Sequence, residues 1–404
     1  MSPRTAALAA ALIACATSAT AQGRSDRSLH EGLTVLDTHF DTPALFSVEG
    51  WRIIDRHDVR KDGSQVDYPR MVAGGVDGGV FVVFTAQGPR TPEGHAAARD
   101  FALVRINEIR EMAARYPDKF QLVTTAAQAR ALANTPKKFV FISLENSYPL
   151  GRDLSLMRTF HALGARMMSP VHTTNNDLAD SATDKSEHGG LSPLGRQWVA
   201  EANRLGVLID ASHASDAATE QMIELSKAPI ILSHTGAKAV FDHPRNIGDD
   251  LMRKLAAKGG VIQLNAFSNY MVTVPPSAER DRELAELNRK FGGRPKTAGQ
   301  MQALTAERNA ILARYNTPRA TFDDFMKHLL HAIEVAGIDH VGVSGDFDGG
   351  GGLTGFEDIL DFPKVTAALR ARGYSREDIA KVWGGNALRV FEQAQAAAQA
   401  SAGR

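Results

Sequence analysis

After residue 30, short apolar runs rich in β-branched residues alternate with longer amphipathic stretches along most of the chain. The runs predict strands at 33–38 (LTVLDT), 80–85 (VFVVFT), 139–144 (FVFISL), 166–171 (RMMSPV), 206–210 (GVLID), 229–233 (PIILS), 260–265 (GVIQLN) and 341–345 (VGVSG). Several are continuous rather than alternating, as strands buried on both faces are. Helical spacing of apolar residues predicts helices over 93–116, 194–205, 214–226 and 321–336. The second opens on Ser192-Pro193, a cap followed by a first-turn proline. Strand and helix in alternation mark a parallel α/β fold. Eight strands fit a (β/α)8 TIM-like barrel better than a doubly wound sheet.

Two regions depart from this pattern. Residues 273–320, rich in Glu, Arg, Lys and Gln and without a strand pattern, predict a helical excursion between the seventh and eighth strands. At the N-terminus, a basic start at 1–4 precedes an apolar run at 5–14 and the small-residue sequence Ala19-Thr20-Ala21. That is the layout of a secretory signal peptide cut after Ala21, with an apolar run too short to span a bilayer. The barrel domain is therefore expected over 22–392, followed at 393–404 by a low-complexity tail expected to fray. The protein is expected to be exported, periplasmic or extracellular. Leu12-Ile13-Ala14-Cys15 also fits a bacterial lipobox, which would put a lipid anchor on Cys15.

Composition narrows the chemistry. The 404 residues are 43% hydrophobic and 23% charged, ordinary for a chain with a sizeable core. Lys+Arg and Asp+Glu are both 46, and no basic stripe stands out. This speaks against a nucleic-acid partner and favours a small neutral substrate. Cys15 is the single cysteine, so the barrel has no disulfide and no thiol nucleophile.

Barrel enzymes carry their active residues at the C-terminal ends of the strands. Metal-ligating residue types recur at that register. Asp37-Thr38-His39-Phe40-Asp41 ends the first strand and Glu145 the third; His172 follows the fourth, Asp210 and His213 the fifth, His234 the sixth and Asp346 the eighth. Any one of these is explained by a polar strand end, but their convergence on one rim is not. Imidazole and carboxylate without thiolate suit zinc or a similar divalent ion. The spacing His39-x-Asp41 lets both side chains point to one side of a strand. A carboxylate can bridge two cations, and Glu145 stands between the pair His39 and Asp41 and the pair His213 and His234. Two ions about 3.5–4 Å apart would clamp a hydroxide, lower the pKa of its parent water towards about 7 and polarise a carbonyl.

The stretches DTHFDTP at 37–43, Glu145, RMMSPVHTTNNDLADS at 166–181 and GLSPLGRQWVAEANRLGVLIDASH at 190–213 resemble the membrane (renal) dipeptidase family, as a bacterial secreted member. So do APIILSHTGAKAVFDHPRNIGDDLM at 228–252 and GDFDG at 345–349. The resemblance covers nearly all of the chain after the leader, and the block 190–252 is its most specific part. It implies a (β/α)8 barrel with two zinc ions that hydrolyses the peptide bond of dipeptides through a metal-bridging hydroxide. It further implies that His39 and Asp41 bind one zinc, His213 and His234 the other, and that Glu145 bridges them. His172 would contact the substrate near the scissile carbonyl, Arg245 would hold the substrate's C-terminal carboxylate, and Asp346 would handle the proton. Family members often dimerise, so a homodimer is expected as well.

Elementary chemistry agrees with these roles. A free carboxylate wants a planar bidentate donor, which Arg supplies better than Lys. An amine leaving group must gain a proton, which a nearby carboxylate can deliver. A histidine donating to the developing oxyanion is typically worth about 3–4 kcal/mol. Two positions depart from the family: Thr42 stands where leucine is usual and Asn146 where glycine is common. The remaining histidines, His188, His243 and His328 among them, lack strand-end context and are assigned to the surface or to support. Other barrel metallohydrolases, acting on cyclic amides or lactones, open with His-x-His and bridge with a lysine, unlike this chain. A non-catalytic binding protein on the same scaffold predicts an eroded ligand set, and every ligand type is present.

Overall fold

The computed structural model describes residues 23–402. Eight parallel strands form its frame: β1 (Leu36–Phe40), β2 (Gly78–Phe84), β3 (Lys138–Glu145), β4 (Ala165–Met168), β5 (Leu208–Ile209), β6 (Ile231–Ala237), β7 (Val261–Asn265) and β8 (Val341–Ser344). β1 to β5 pair in order within one sheet, and β6 to β8 pair in order within another. Parallel bridges from Asp210 to Ile231 and from Phe40 to Phe347 join the two sheets at both seams. The ring closes, so the fold is the TIM-like (β/α)8 barrel expected from the strand count.

One carboxylate reinforces the seam between the first and last strands. Asp37 accepts hydrogen bonds from the Ser344 hydroxyl at 3.0 Å and the Gly345 amide at 2.7 Å. It is fully buried, and that burial pushes its pKa up to about 6.

The predicted helices form on the outside as α1 (Pro92–Arg115), α2 (Pro193–Leu205), α3 (Asp216–Leu225) and, after the excursion, α6 (Phe322–Ala336). The start of α2 shows why: the Ser192 side chain accepts from the Gly195 amide at 3.0 Å, and Pro193 fills the first turn. The excursion between β7 and β8 is a pair of helices, α4 (Ala278–Lys290) and α5 (Ala298–Arg314). Ion pairs Lys290–Glu307 at 2.6 Å and Arg314–Glu283 at 2.7 Å link them. Both pairs are solvent-exposed, so they orient more than they stabilise.

The N-terminal end of the barrel is plugged with apolar side chains. Leu36, Val80, Phe139, Phe141, Ile231 and Val261 from the strand starts pack with Leu388, Val390, Phe391 and Ala394 of α7 (Asn386–Ala402). Phe141 and Phe391 stack with centroids 4.4 Å apart. The Ala/Gln-rich stretch after Glu392 continues α7 as far as Ala402. Its alanines let the helix approach closely, and Ala394 is buried. The leader 1–21, with the lipobox Cys15, lies outside the described residues. Among those described, no helix is long and apolar enough to cross a membrane.

Candidate metal centre

All the ligand candidates reach one rim, and irregular register helps bring them there. Between β1 and β2 the pairing runs Asp37 to Gly79 and then Phe40 to Phe81, so three steps on β1 face two on β2. His39 sits in that irregularity. Between β6 and β7 the pairing jumps from Leu232–Ile262 to Thr235–Leu264, and Ser233 and His234 lie in the jump. Such bulges re-aim side chains. Simple strand alternation is thus not the reason His39 and Asp41 share a side. β1 ends at Phe40, and Asp41 leads into the turn Thr42–Leu45 with φ −82° and ψ 5°.

Glu145 is central. One carboxylate oxygen, Oε2, lies 3.5 Å from His39 Nε2, and the other, Oε1, lies 3.3 Å from His213 Nε2, 3.6 Å from His234 Nε2 and 3.8 Å from His172 Nε2. Asp41 Oδ2 stands 3.4 Å from His39 Nε2. His39, Asp41 and Asp346 form one group whose ligand atoms lie within 4.8 Å of one another; His39, Glu145 and His234 form a second, and Glu145, His172 and His213 a third. Gly349 is required beside them, because a Cβ there would collide with the Asp41 carboxylate.

The charge states suit a cation. Burial, reinforced by the Arg245 guanidinium, holds His213 well below the ordinary imidazole range. Burial with His39, His213 and Arg245 nearby does the same for His234. Burial disfavours a charge on His39, but the Glu145 and Asp41 carboxylates outweigh it and hold its pKa well up. Glu145 is likewise buried, and the imidazoles around it, His39 first, keep it ionised. Two neutral imidazoles and a site where carboxylates attract positive charge are the donor set of a divalent ion. Nδ1 of His39 and of His213 is buried with no hydrogen-bond partner among the described residues.

His234 is oriented from behind. The Ser233 hydroxyl donates to Asp210 Oδ2 at 2.6 Å and lies 2.9 Å from His234 Nδ1. With its proton committed to Asp210, the hydroxyl can only accept from Nδ1. Nδ1 therefore carries the hydrogen, and Nε2 turns its lone pair to the centre. Asp210 thus takes a supporting place one layer out from the ligand cluster.

The remaining sequence candidates ring the cluster. His172 is partly exposed, with its ring 3.9 Å from that of His213 and 4.7 Å from Phe84. Arg245 is buried, donates from Nη2 to the His234 carbonyl at 3.2 Å, and leaves Nε without a partner among the described residues. Asp346 accepts from Asn265 Nδ2 at 3.1 Å; burial above all, against the relief from His39 and with the Asp41 and Glu145 charges adding to it, pushes its pKa up to about 7. Asn265, Ser233 and Tyr270 are absent from the sequence candidates. Asn265 was open to discovery as the one polar residue ending the apolar strand 261–265.

Both departures from the resembled family have a local reason. Asn146 has φ +66°, a left-handed conformation that glycine adopts freely and asparagine tolerates. Its side chain repays that strain by donating to the Thr85 carbonyl and accepting from the Tyr148 and Asn176 N–H groups. Thr42 donates to Asp348 Oδ2 at 2.6 Å, tying the turn after β1 to the loop after β8.

The comparison that decides the family covers almost the whole chain: residues 24–404 match the profile described as membrane dipeptidase, peptidase family M19. The chain belongs to that family. Its membership makes it a hydrolase of the metallo-dipeptidase class. Among solved structures it is similar to a probable dipeptidase PvdM of Pseudomonas aeruginosa, with a TM-score of 0.79 and 30% identity over 94% of this chain and 99% of that one. A Rhodobacter sphaeroides metallopeptidase bound to a phosphinate mimic of L-Ala-D-Ala shares the fold, with a TM-score of 0.69 and 23% identity over 90% of this chain and 99% of that one. Among sequences, dipeptidase tcpJ of Claviceps purpurea is 29% identical over 87% of this chain and 75% of its own. Dipeptidase 3 of Mus musculus is 32% identical over 75% of this chain, a match that spans 53% of the mouse protein.

Proposed function

We propose that the chain is a two-zinc dipeptidase in which His39 and Asp41 hold one ion, His213 and His234 the other, and Glu145 both. The observation that carries this is the Glu145 carboxylate, which offers one oxygen to His39 and the other to His213 and His234. A divalent ion held by these residues would supply Lewis acidity for the scissile carbonyl and for the attacking water. The protein's own residues do the rest. Arg245, with Nε free, receives the substrate's C-terminal carboxylate and fixes the direction in which the dipeptide lies. His172, on the opening side of the cluster, donates to the developing oxyanion. Asp346, held by Asn265 within the group formed with His39 and Asp41, carries a proton from the attacking water to the departing amine. From the leader-like sequence at 1–21 we infer that the enzyme is exported, and a homodimer is part of the same proposal.

The test is metal analysis with kinetics. Protein purified without chelator is expected to carry close to two zinc equivalents, to lose activity with a chelator and to regain it with zinc. Arg245→Ala is expected to raise KM for free dipeptides by about ten-fold or more with kcat little changed. A metal-free protein of full activity overturns the two-zinc site, and unchanged KM in Arg245→Ala overturns the carboxylate role.

A further inference from the structure

We propose that His243 is a positioning residue for Arg245: its neutral ring holds the Arg245 backbone, backs Tyr270, and so sets the grip on the substrate carboxylate. The inference rests on the role of Arg245 given above, and it concerns a histidine that the sequence pattern assigns to the periphery.

The geometry is specific. His243 Nδ1 accepts the Arg245 amide at 3.1 Å, and the His243 ring packs against Tyr270 with centroids 4.7 Å apart. Tyr270 faces the Arg245 guanidinium, 5.3 Å from its ring centre, and stacks on Phe267 at 4.4 Å. The turn is also tied to the loop after β7. Asn246 donates from its side chain to the Phe241 carbonyl at 2.8 Å and the Tyr270 carbonyl at 2.9 Å. Thr235 donates to the Arg245 carbonyl at 2.8 Å. The acceptor for the Arg245 amide is therefore a side chain rather than the backbone. Removing that acceptor strands the amide and also removes the support behind Tyr270. The guanidinium is then freed from one of the two surfaces that aim it.

Nδ1 can accept only while it is unprotonated, so the neutral ring carries its hydrogen on Nε2. The charged and titratable groups facing it are Arg245 and Asp242 on its own turn and Tyr270 across from it. Burial and the Arg245 cation hold His243 below the ordinary imidazole range, with Asp242 pulling the other way. A proton on Nδ1 would set a donor against the Arg245 amide. The grip should weaken in acid through KM, with kcat left alone.

The experiment compares His243→Leu, His243→Asn and Arg245→Ala as zinc-loaded, folded enzymes. Each is assayed on a dipeptide and on the same dipeptide with its C-terminus amidated. His243→Leu is expected to raise KM for the free dipeptide about ten-fold, with kcat within about two-fold and KM for the amide unchanged. Asparagine places an acceptor oxygen where Nδ1 stood, so His243→Asn should restore KM to within about three-fold and flatten its rise in acid. If Arg245→Ala raises KM and His243→Leu does not, the positioning role is overturned and the role of Arg245 stands. If Arg245→Ala has no effect, the underlying carboxylate assignment has failed instead. Equal losses on both substrates, or a fall in kcat, reduce His243 to a general structural part and overturn the proposal. Should His243→Leu fail to fold, the acid profile of KM in His243→Asn decides alone: a rise as steep as wild type overturns it.

Discussion

The two ends of the barrel are built on opposite rules. At the floor, side chains of the strand starts meet Leu388, Val390, Phe391 and Ala394 of α7 in a wholly apolar cluster. At the rim, buried polar and charged groups crowd together, and Asn146, His213, Asp346 and Asp348 all hold positive φ, from 51° to 69°. Each such residue costs of order 1 kcal/mol. Among the described residues the other two non-glycine positions of this kind, Asn134 and Asn316, are asparagines, which tolerate the conformation best. Left-handed strain is thus concentrated at the rim around the candidate centre, while the opposite end supplies apolar packing that offsets it.

Substitutions at the two ends should separate activity from stability. The largest effect is expected from Glu145→Ala, which removes the shared carboxylate: zinc content should collapse and kcat/KM fall by about four orders of magnitude. Retention of both ions would break the contrast at its centre. Next, Asp346→Asn should keep the metal and the fold but lower kcat by about 10²- to 10⁴-fold, read under saturating dipeptide. Near-normal turnover would remove Asp346 as the proton carrier.

At the floor, Phe391→Ala should do the reverse. It empties the stack on Phe141 and is expected to cost about 3–5 kcal/mol in denaturant unfolding, with kcat per folded molecule unchanged. A floor variant that lost activity without losing stability would show that the ends are not independent.

The smallest effect concerns acid. Behind the rim, His328 is buried on α6, its Nδ1 accepts the Ala237 amide at 2.9 Å, and burial lowers its pKa to about 4. Its folded pKa lies below the unfolded value of about 6.5, so the unfolded chain gains the proton first as pH falls. The stability this neutral histidine contributes is complete above about pH 6.5 and drains away towards pH 4. The stability deficit of His328→Asn should therefore narrow by about 3 kcal/mol between pH 7 and pH 4. A constant deficit would show that His328 is not held neutral.

The floor and the rim were not equally legible in the sequence. The strands announce themselves because both of their faces are buried, and the ligand residues because each stands at the end of an apolar run. What the chain could not announce is contact between distant segments. The Asp210–Ser233–His234 chain of hydrogen bonds, the Asn265–Asp346 hydrogen bond and the His243 ring beside Arg245 and Tyr270 each join a candidate site residue to a partner that local pattern leaves unremarkable. The helical continuation into the low-complexity stretch is hidden for a related reason. Its alanines carry little hydrophobic signal, yet Leu388, Phe391 and Ala394 recur at helical spacing and close the core. Likewise the shared side of His39 and Asp41 is right, but a bulge and a turn produce it rather than strand alternation.

Asp37 carries a consequence for how the chain reaches this state. Its partners Ser344 and Gly345 lie 307 and 308 positions away, so the ring is sealed by a contact that spans nearly the whole domain. Bringing such distant ends together costs about 5 kcal/mol of chain entropy, a cost that grows only slowly with separation. A fragment ending before β8 would leave Asp37 without these donors, and an intermediate lacking the last strand would keep an open sheet edge. A chain cut before β8 is accordingly expected to be less stable than the closed barrel and more prone to associate through its open edge.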